Sequence, residues 1–324
     1  MARVALDAMG GDHAPVETVA GAVLAAERGV DVVLVGDESQ LHAQLEVFGA
    51  DLPIVHASQK IGMADNPVRA IRERPGSSIV RAAQLVRDGE ADALVSAGST
   101  GASLAAAAII IGRLPGVLRP AIATIFPTPY KPTVVLDSGA NPDCKPEHLN
   151  QFAVMGSQVA RVYLGCENPR VGLLTIGEER GKGRDLERAA YDLLEWDPAV
   201  NFVGNVEGRD LANDIADVFV TDGFTGNVTL KTAEGMMRIT LGMFSDIANS
   251  LSEAARSELL PHLKRLAEAM SADHGAHLVG SKGVVVIGHG SATAMGIANA
   301  LVMAADGARR GLVSEIANQL GSES

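Results

Sequence analysis

The feature that most restricts how this chain can fold is a series of short apolar runs that are continuous rather than alternating. They are Val4–Leu6, Val32–Val35, Ile54–Val55, Ala93–Val95, Ala121–Phe126, Val134–Leu136, Val171–Ile176, Phe202–Val203, Val218–Val220 and Val284–Ile287. A strand with one wet face alternates apolar and polar residues, whereas a continuous β-branched run reads as a strand buried on both faces. Helical patterns such as Val80–Val86 and Leu149–Tyr163 separate several of the runs. The combination predicts an α/β fold of three layers, α/β/α, with a largely parallel sheet between helices. No Ser/Pro linker, charge block or repeat divides the chain, so residues 1–324 read as one domain. A helical excursion is expected at about 235–275, carrying Met236, Met237, Leu241, Met243, Leu259, Leu260, Leu263, Leu266 and Met270.

Composition narrows the function. The chain has 27 basic and 39 acidic side chains, a formal charge of −12. That excludes a protein that coats nucleic acid, because phosphate contacts require clustered Lys and Arg. Aromatics make up only 3% of residues, so the core must be aliphatic. The two cysteines, Cys144 and Cys166, do not form a disulfide framework and point to a reducing compartment. Arg3-Val4-Ala5-Leu6-Asp7 leaves no room for a secretory h-region, and the apolar stretch Ala102–Ile111 is about half of a membrane span. A cytoplasmic protein is expected.

The 35 glycines, roughly 11% against a usual ~7%, are not scattered. Seven of the ten runs are followed by small and polar residues together. Examples are Asp7-Ala8-Met9-Gly10-Gly11-Asp12-His13, Ser96-Ala97-Gly98-Ser99-Thr100-Gly101 and Asp137-Ser138-Gly139-Ala140-Asn141. Others are Gly177–Gly183, Asn205–Gly208, Asp222–Asn227 and Gly288-His289-Gly290-Ser291. Any one of these could be an ordinary βα turn. Seven of them suggest loops gathered at one edge of the sheet around a phosphate or another small oxyanion, since glycine lets backbone N–H groups approach a ligand.

Familiar catalytic signatures are missing. Gly177–Lys182 lacks the spacing and the Ser/Thr of a P-loop, and no Gly-x-Gly-x-x-Gly follows the first run. Cys144 and His148 read as a loop cysteine beside a helix start rather than a nucleophile pair. Asp273, His274 and His277 read as a surface loop rather than metal ligands. Neither a metal nor a cofactor is expected. Only seven of the 27 basic residues are lysines, and Lys182, between Gly181 and Gly183, is the one most suited to an anion. Lys231 reads equally well as a site residue or as a solvated helix position.

Taken in order, the strings resemble bacterial phosphate acyltransferases, the enzymes of phospholipid synthesis that pass an acyl group from acyl carrier protein to phosphate. The resemblance rests on Asp7–Pro15, Ser96–Gly98, Thr100–Ala102, Gly139–Asn141, Pro146–His148, Asn205–Asp210, Asp222–Phe224, Gly226–Val228 and Gly288–Ser291, and runs from residue 1 to about 305. Two departures stand out: Ser99 occupies a position where the family pattern has Asn, and Met270–Gly280 lacks an aromatic, Gly-Gly-rich character. The resemblance implies a homodimer with a fold similar to phosphotransacetylases and isocitrate-type dehydrogenases. It also implies transfer of a long acyl chain from a carrier thioester to orthophosphate.

Orthophosphate can attack a thioester directly, so the protein needs only to hold the phosphate, stabilise the oxyanion and orient both reactants. Lys182 and Asn227 are expected to stabilise oxyanion or phosphate, and His13 or His289 to transfer or position a proton. Substrate binding is expected from Asp7, Gly10, Gly11, Asp12, Ser96, Gly98, Ser99, Thr100, Gly101, Asn141, Asn205, Asp222, Gly226, Gly290 and Ser291. Acyl carrier protein is acidic, so it would need a local basic face. Asn66–Glu90 offers Arg69, Arg72, Arg74, Arg81 and Arg87. The stripe from Leu251 to Met270 could meet a membrane surface or a second subunit. The rival readings are a short-chain phosphotransacetylase using acyl-coenzyme A, and a non-catalytic protein that recruits lipid enzymes to the membrane.

Overall fold

A computed structural model describes residues 2–128, 130–270 and 275–321. The strands are β1 (Arg3–Asp7), β2 (Asp31–Gly36), β3 (Ile54–His56), β4 (Ala93–Ser96), β5 (Ala121–Phe126), β6 (Thr133–Leu136), β7 (Arg170–Leu174), β8 (Asn201–Val206), β9 (Val218–Val220), β10 (Ala276–Val279) and β11 (Val284–Ile287). The helices are α1 (Val16–Glu27), α2 (Glu38–Phe48), α3 (Pro67–Glu73), α4 (Ser78–Arg87), α5 (Thr100–Ala106), α6 (Pro146–Val159), α7 (Asp185–Trp196), α8 (Gly223–Ser250), α9 (Glu253–Met270), α10 (Ala294–Arg309) and α11 (Leu312–Leu320). Every apolar run of the sequence supplies a strand, although the run Val171–Ile176 outlasts its strand by two residues. The expected α/β architecture, with helices on both faces of a mostly parallel sheet, is what the chain forms.

All the strands join one sheet in the order β3-β2-β1-β4-β11-β10-β5-β6-β9-β7-β8. From β3 to β11 they are parallel. Then β10 runs antiparallel to both of its neighbours, and β5 is antiparallel to β6. The remaining strands β6, β9, β7 and β8 are parallel among themselves. The two blocks of the sheet therefore point in opposite directions. This corrects the expectation that all seven glycine-rich loops share one edge. β10, antiparallel to both neighbours, leaves β5 in the sense of the first block, and the antiparallel β5–β6 pair completes the reversal. The sequence hides β10 because Ala276-His277-Leu278-Val279 is short, carries a histidine and follows the helical excursion. Asp273, His274 and the side chain of Met270 lie outside the described residues.

Burial alternates face by face. In the first block Val4, Leu6, Val32, Leu34, Val95 and Val286 pack with α1 and α10, while Ala5, Val33, Val35, Leu94 and Val285 pack with α4 and α5. In the second block Ala121, Ala123, Val134, Leu136, Val171 and Val218 pack with α6 and α11. The opposite face of that block has a much smaller core, Val135, Leu174, Val206, Leu211, Ala216 and Phe219. Each fully buried Leu or Phe contributes roughly 1.5–3 kcal/mol, so the thinly covered face holds less of the fold's stability.

The excursion begins earlier than expected, at Gly223, and forms a helix pair. With 28 residues, α8 is roughly 42 Å long at 1.5 Å per residue. Pro261 does not end α9, which continues through it. Many large apolar side chains on this pair are exposed, including Met236, Ile239, Met243, Phe244 and Ile247 on α8 and Leu260 and Leu266 on α9.

His277 is not a loop residue, as expected from sequence, but a buried one on β10, 1% exposed and stacked on Tyr163 at 4.6 Å. Burial pulls its imidazole down to about 3. The unfolded chain keeps an ordinary value near 6.5, so between the two values the unfolded state takes up a proton that the folded state refuses. The stabilisation is complete above the unfolded value and is lost as pH falls toward the folded one, at up to about 1.4 kcal/mol per pH unit. Urea midpoints at about pH 7.5 and about pH 5 are expected to fall less in His277→Leu than in the natural chain. Equal falls would show that His277 does not carry this dependence.

Candidate functional site

Three loops leave the adjacent carboxyl ends of β1, β4 and β11. The buried Asp7, at the end of β1, accepts a hydrogen bond from Ser96 Oγ at 2.7 Å, and that oxygen in turn accepts the Gly98 N–H at 3.1 Å. Burial pushes the Asp7 carboxyl upward, and its second oxygen, Oδ1, has no hydrogen-bond partner among the described residues. A Cβ on Gly10 would strike Asp7 Oδ2, so only glycine fits there. Gly11, at φ +114°, lies against the carbonyls of Ala97 and Gly290, and the Asp12 N–H donates to Gly290 O at 2.8 Å. Ser99 caps α5 by accepting the Ala102 N–H. Thus Asp7, Gly10, Gly11, Asp12, Ser96, Gly98, Ser99, Thr100, Gly101, Gly290 and Ser291 belong to one connected group of loops. His13 stands on the exposed turn before α1.

A second group leaves the carboxyl ends of β6, β7, β8 and β9. Its centre is Asp137, which is fully buried. Its Oδ1 accepts the N–H groups of Ile122, Gly139 and Ala140 at 3.0–3.1 Å. Its Oδ2 accepts the Asn141 N–H at 2.7 Å and Asn141 Nδ2 at 2.8 Å. This folds residues 137–141 into a tight turn, with Gly139 at φ +142°. The start of α8 seats on that turn: the Gly223 N–H donates to Asn141 O at 2.8 Å, and Asn227 Nδ2 donates to Ser138 O at 3.3 Å. Asp222 caps α8 through the Thr225 N–H at 2.6 Å and is ion-paired with Arg184, which also grips the buried Glu187. Asn205 Nδ2 donates to Glu179 O at 2.8 Å and so braces the β7 loop. Lys182 lies on that loop, half exposed, with its Nζ 3.8 Å from the Glu179 carboxylate.

The two groups meet at the seam of the sheet. A cavity of about 160 Å³ is walled by Thr100, Gly288 and His289 from the first group and Ser138, Gly139 and Asn227 from the second. Its floor is Ile122 and Thr124 of β5, Ala276 of β10 and Ile287 of β11, which the strand register places on one face of the sheet. Its remaining wall is α8, whose Asn227, Leu230, Lys231 and Glu234 recur at the spacing of one helix face. Of the expected catalytic residues, Asn227 and His289 reach this cavity, whereas Lys182 and His13 are outside its lining. His289 Nδ1 accepts the Ser291 N–H at 3.3 Å, which leaves Nε2 to carry the proton of the neutral ring. Lys231, which the sequence left open, is in the wall. Thr124 and Glu234 were not foreseen, because a threonine inside a strand run and a glutamate in a helix carry no signal of their own. Asp137 was visible only as the first residue of a polar string.

Cys144 and His148 do not form a reactive pair. Cys144 Sγ donates to Asn141 O at 3.4 Å, and burial pushes its thiol up to about 12. His148 Nδ1 accepts the Lys145 N–H at 3.1 Å.

The seating of α8 has a direct test. A Cβ on Gly226 would overlap the Asp137 carbonyl oxygen. Gly226→Ala must therefore displace the helix start or the turn, at a cost of at least about 3 kcal/mol, the upper range of overpacking. Denaturant unfolding measures it, and a loss below about 1 kcal/mol would mean that this contact is not tight.

Comparison with known proteins follows the same outline. The sequence model of the family described as "Fatty acid synthesis protein" matches residues 2–315. The phosphate acyltransferase of Desulforamulus reducens is 48% identical over 100% of this chain and 98% of its own. That of Thermus thermophilus is 47% identical over 99% of each chain. Among solved structures, a phosphotransacetylase from Streptococcus pyogenes superposes with a TM-score of 0.64 at 19% identity, covering 95% of this chain and 94% of its own. A 4-hydroxythreonine-4-phosphate dehydrogenase from Klebsiella pneumoniae superposes with a TM-score of 0.52 at 12% identity, covering 94% and 99%. These two likenesses concern the fold alone. The relatives decide the family: this chain belongs to the phosphate acyltransferases.

Proposed function

We propose that this chain transfers a long acyl group from the thioester of acyl carrier protein to orthophosphate, releasing acyl phosphate for phospholipid synthesis and the free carrier thiol. The observation that carries this reading is the seam cavity, where loops built for close backbone approach converge on an amide, a hydroxyl and an imidazole. The family supports the reaction class, and the residues supply its needs. A phosphate oxygen attacks the thioester carbonyl carbon, the carbonyl oxygen takes up the negative charge, and the C–S bond then breaks. The proton of hydrogen phosphate ends on the departing sulfur, so charge and atoms balance.

In this reading Asn227 donates to the developing oxyanion, and His289 passes or positions the proton. Lys182 is assigned to the thioester oxyanion, offered by the β7 loop that Arg184 ties to the start of α8. His13 remains a second candidate for the proton. The glycine-rich loops after β1, β4 and β11, with Asn141 and Asn205 behind the second group, hold the substrates. Of the buried carboxylates, Asp222 is held by Thr225 with Arg184 and Asp7 accepts from Ser96 through Oδ2, and both are assigned as braces rather than ligands of an anion.

Residues 1–324 act as one acyltransferase domain, since one sheet runs through both blocks. Acyl carrier protein is proposed to dock on α3 and α4. Pro67, at the start of α3, packs on Gly101, next to the cavity residue Thr100. Arg69 is shared with Glu73, Arg74 with Asp65, Arg81 with Gln84 and Arg87 with Asp88. Arg72 is exposed. A second copy of the chain is proposed to cover the thin face of the second block and the apolar side of α8. The amphipathic α9 is proposed to touch the inner membrane surface. Among the described residues no helix is long and apolar enough to cross a membrane.

Acyl carrier protein and coenzyme A thioesters of several chain lengths, offered side by side with hydroxylamine as a trap, test the substrate. Acyl hydroxamate should form about tenfold faster, or better, from the long-chain carrier thioester. Equal or faster turnover of a short-chain coenzyme A thioester refutes the reading. The direct attack by phosphate also predicts that Cys144→Ser keeps turnover within about twofold, since a thiol titrating this high is a poor nucleophile. An acyl–enzyme trapped on Cys144 by mass spectrometry would show a covalent route instead.

A further inference from the structure

We propose that Lys231 is the cation that holds orthophosphate in the seam cavity, with the Thr124 hydroxyl as its neutral partner. The assignment rests on the acyl-transfer reading above and deepens it by separating the phosphate side of the site from the acyl-donor side.

Lys231 is the one lysine or arginine among the described residues that wall the cavity. A phosphate dianion placed there needs a fixed positive charge beside it, and an ammonium supplies one. The Lys231 ammonium is already held in place. Its Nζ lies 2.9 and 3.1 Å from the two carboxylate oxygens of Glu234, one turn further along the same wall. Glu234 is the more buried partner, its side chain 18% exposed against 49% for Lys231. The lysine is therefore tethered from inside the cleft, and giving two of its three N–H groups to Glu234 leaves it one for a ligand. A surface pair of this kind contributes little to stability, about 0–1 kcal/mol, so folding gives it no strong role.

A second, independent observation comes from the floor. Among the described residues Thr124 Oγ1 is buried without a hydrogen-bond partner, although its residue lines the same cavity. A buried hydroxyl left unpaired costs free energy, and a ligand oxygen would satisfy it. Asn227, one turn before Lys231, adds an amide on the same wall. The cavity of about 160 Å³ holds roughly five waters at ~30 Å³ each, room enough for a five-atom oxyanion. Lys182 lacks these features: it is outside the lining, and its own carboxylate contact, to Glu179 at 3.8 Å, is too loose to hold the ammonium in one place. The two lysines thus divide the work, Lys231 on phosphate and Lys182 on the thioester.

Equilibrium dialysis of the full chain against radiolabelled orthophosphate, without acyl donor, tests the site separately from the reaction. Lys231→Met should weaken phosphate binding about tenfold or more, the loss of one charge-assisted hydrogen bond, and Lys231→Arg should weaken it less. Thr124→Val, which keeps the shape and removes the hydroxyl, should weaken it severalfold, and this variant decides the matter should Lys231→Met fold poorly. In steady state the phosphate KM should rise by the same factors, while the KM for the acyl donor stays within about twofold. Phosphate binding that is equal in the natural chain and Lys231→Met overturns the proposal, as does a change confined to the acyl-donor KM. Binding lost in Lys231→Met while the natural chain forms no acyl phosphate would support the phosphate site and refute the reaction.

Discussion

A buried carboxylate without a cation is costly unless hydrogen bonds surround it, and Asp137 is such a group. Five donors from four residues converge on it, four of them backbone N–H groups of β5 and of the turn after β6. That convergence fixes the turn Ser138–Asn141, and the turn in turn receives Gly223, Gly226 and Asn227 at the start of α8. Because α8 is one continuous helix, its first turn sets where Lys231 and Glu234 stand further along. The wall of the cavity thus depends on a carboxylate that does not itself line it.

The reversal of the sheet explains why the cavity lies where it does. In a wholly parallel sheet the ligand loops share one edge, and a site forms where the strand order changes direction. Here β10 and β5 stand between two blocks of opposite sense, and the loops of each block open at opposite ends. The register keeps those ends close: Leu136, at the end of β6, lies level through Ala123 and His277 with Val286, next to the end of β11. The groups of loops can therefore meet across the seam on one face. The phosphotransacetylase and dehydrogenase structures of similar fold carry different named activities, so the frame by itself does not choose the reaction.

Electrostatics sharpen the same point. A chain of net charge −12 repels anions at long range, yet its proposed substrate and partner are both anionic. On the proposed reading the conflict is met locally, by one tethered lysine in the cavity wall and by the arginine-bearing pair α3 and α4. Most of those arginines already face a carboxylate, so their field is short-ranged and screened within about 10 Å at ordinary salt. That agrees with the proposed docking surface, which must also release the carrier.

The layers were legible in the sequence because burial on two faces leaves a local signature. Val32–Val35 and Val284–Ile287 can hardly be anything but interior strands, and the polar strings after them mark loops. Asp7–His13 and Asp222–Asn227 carried the family through glycines that no other residue can replace, such as Gly10 against Asp7 and Gly226 against Asp137. Direction was not legible. Whether a strand runs up or down depends on hydrogen-bonded partners far away in the chain, and β10 shows nothing of its pairing in its own four residues. For the same reason the sequence could nominate Lys182 by its glycine neighbours but could not rank it against Lys231, whose neighbours are helical and ordinary. Local chemistry determined which residues turn the chain and which are candidates to bind. Which of them share a cavity was decided only when long-range strand pairing brought β5, β10, β11 and α8 together.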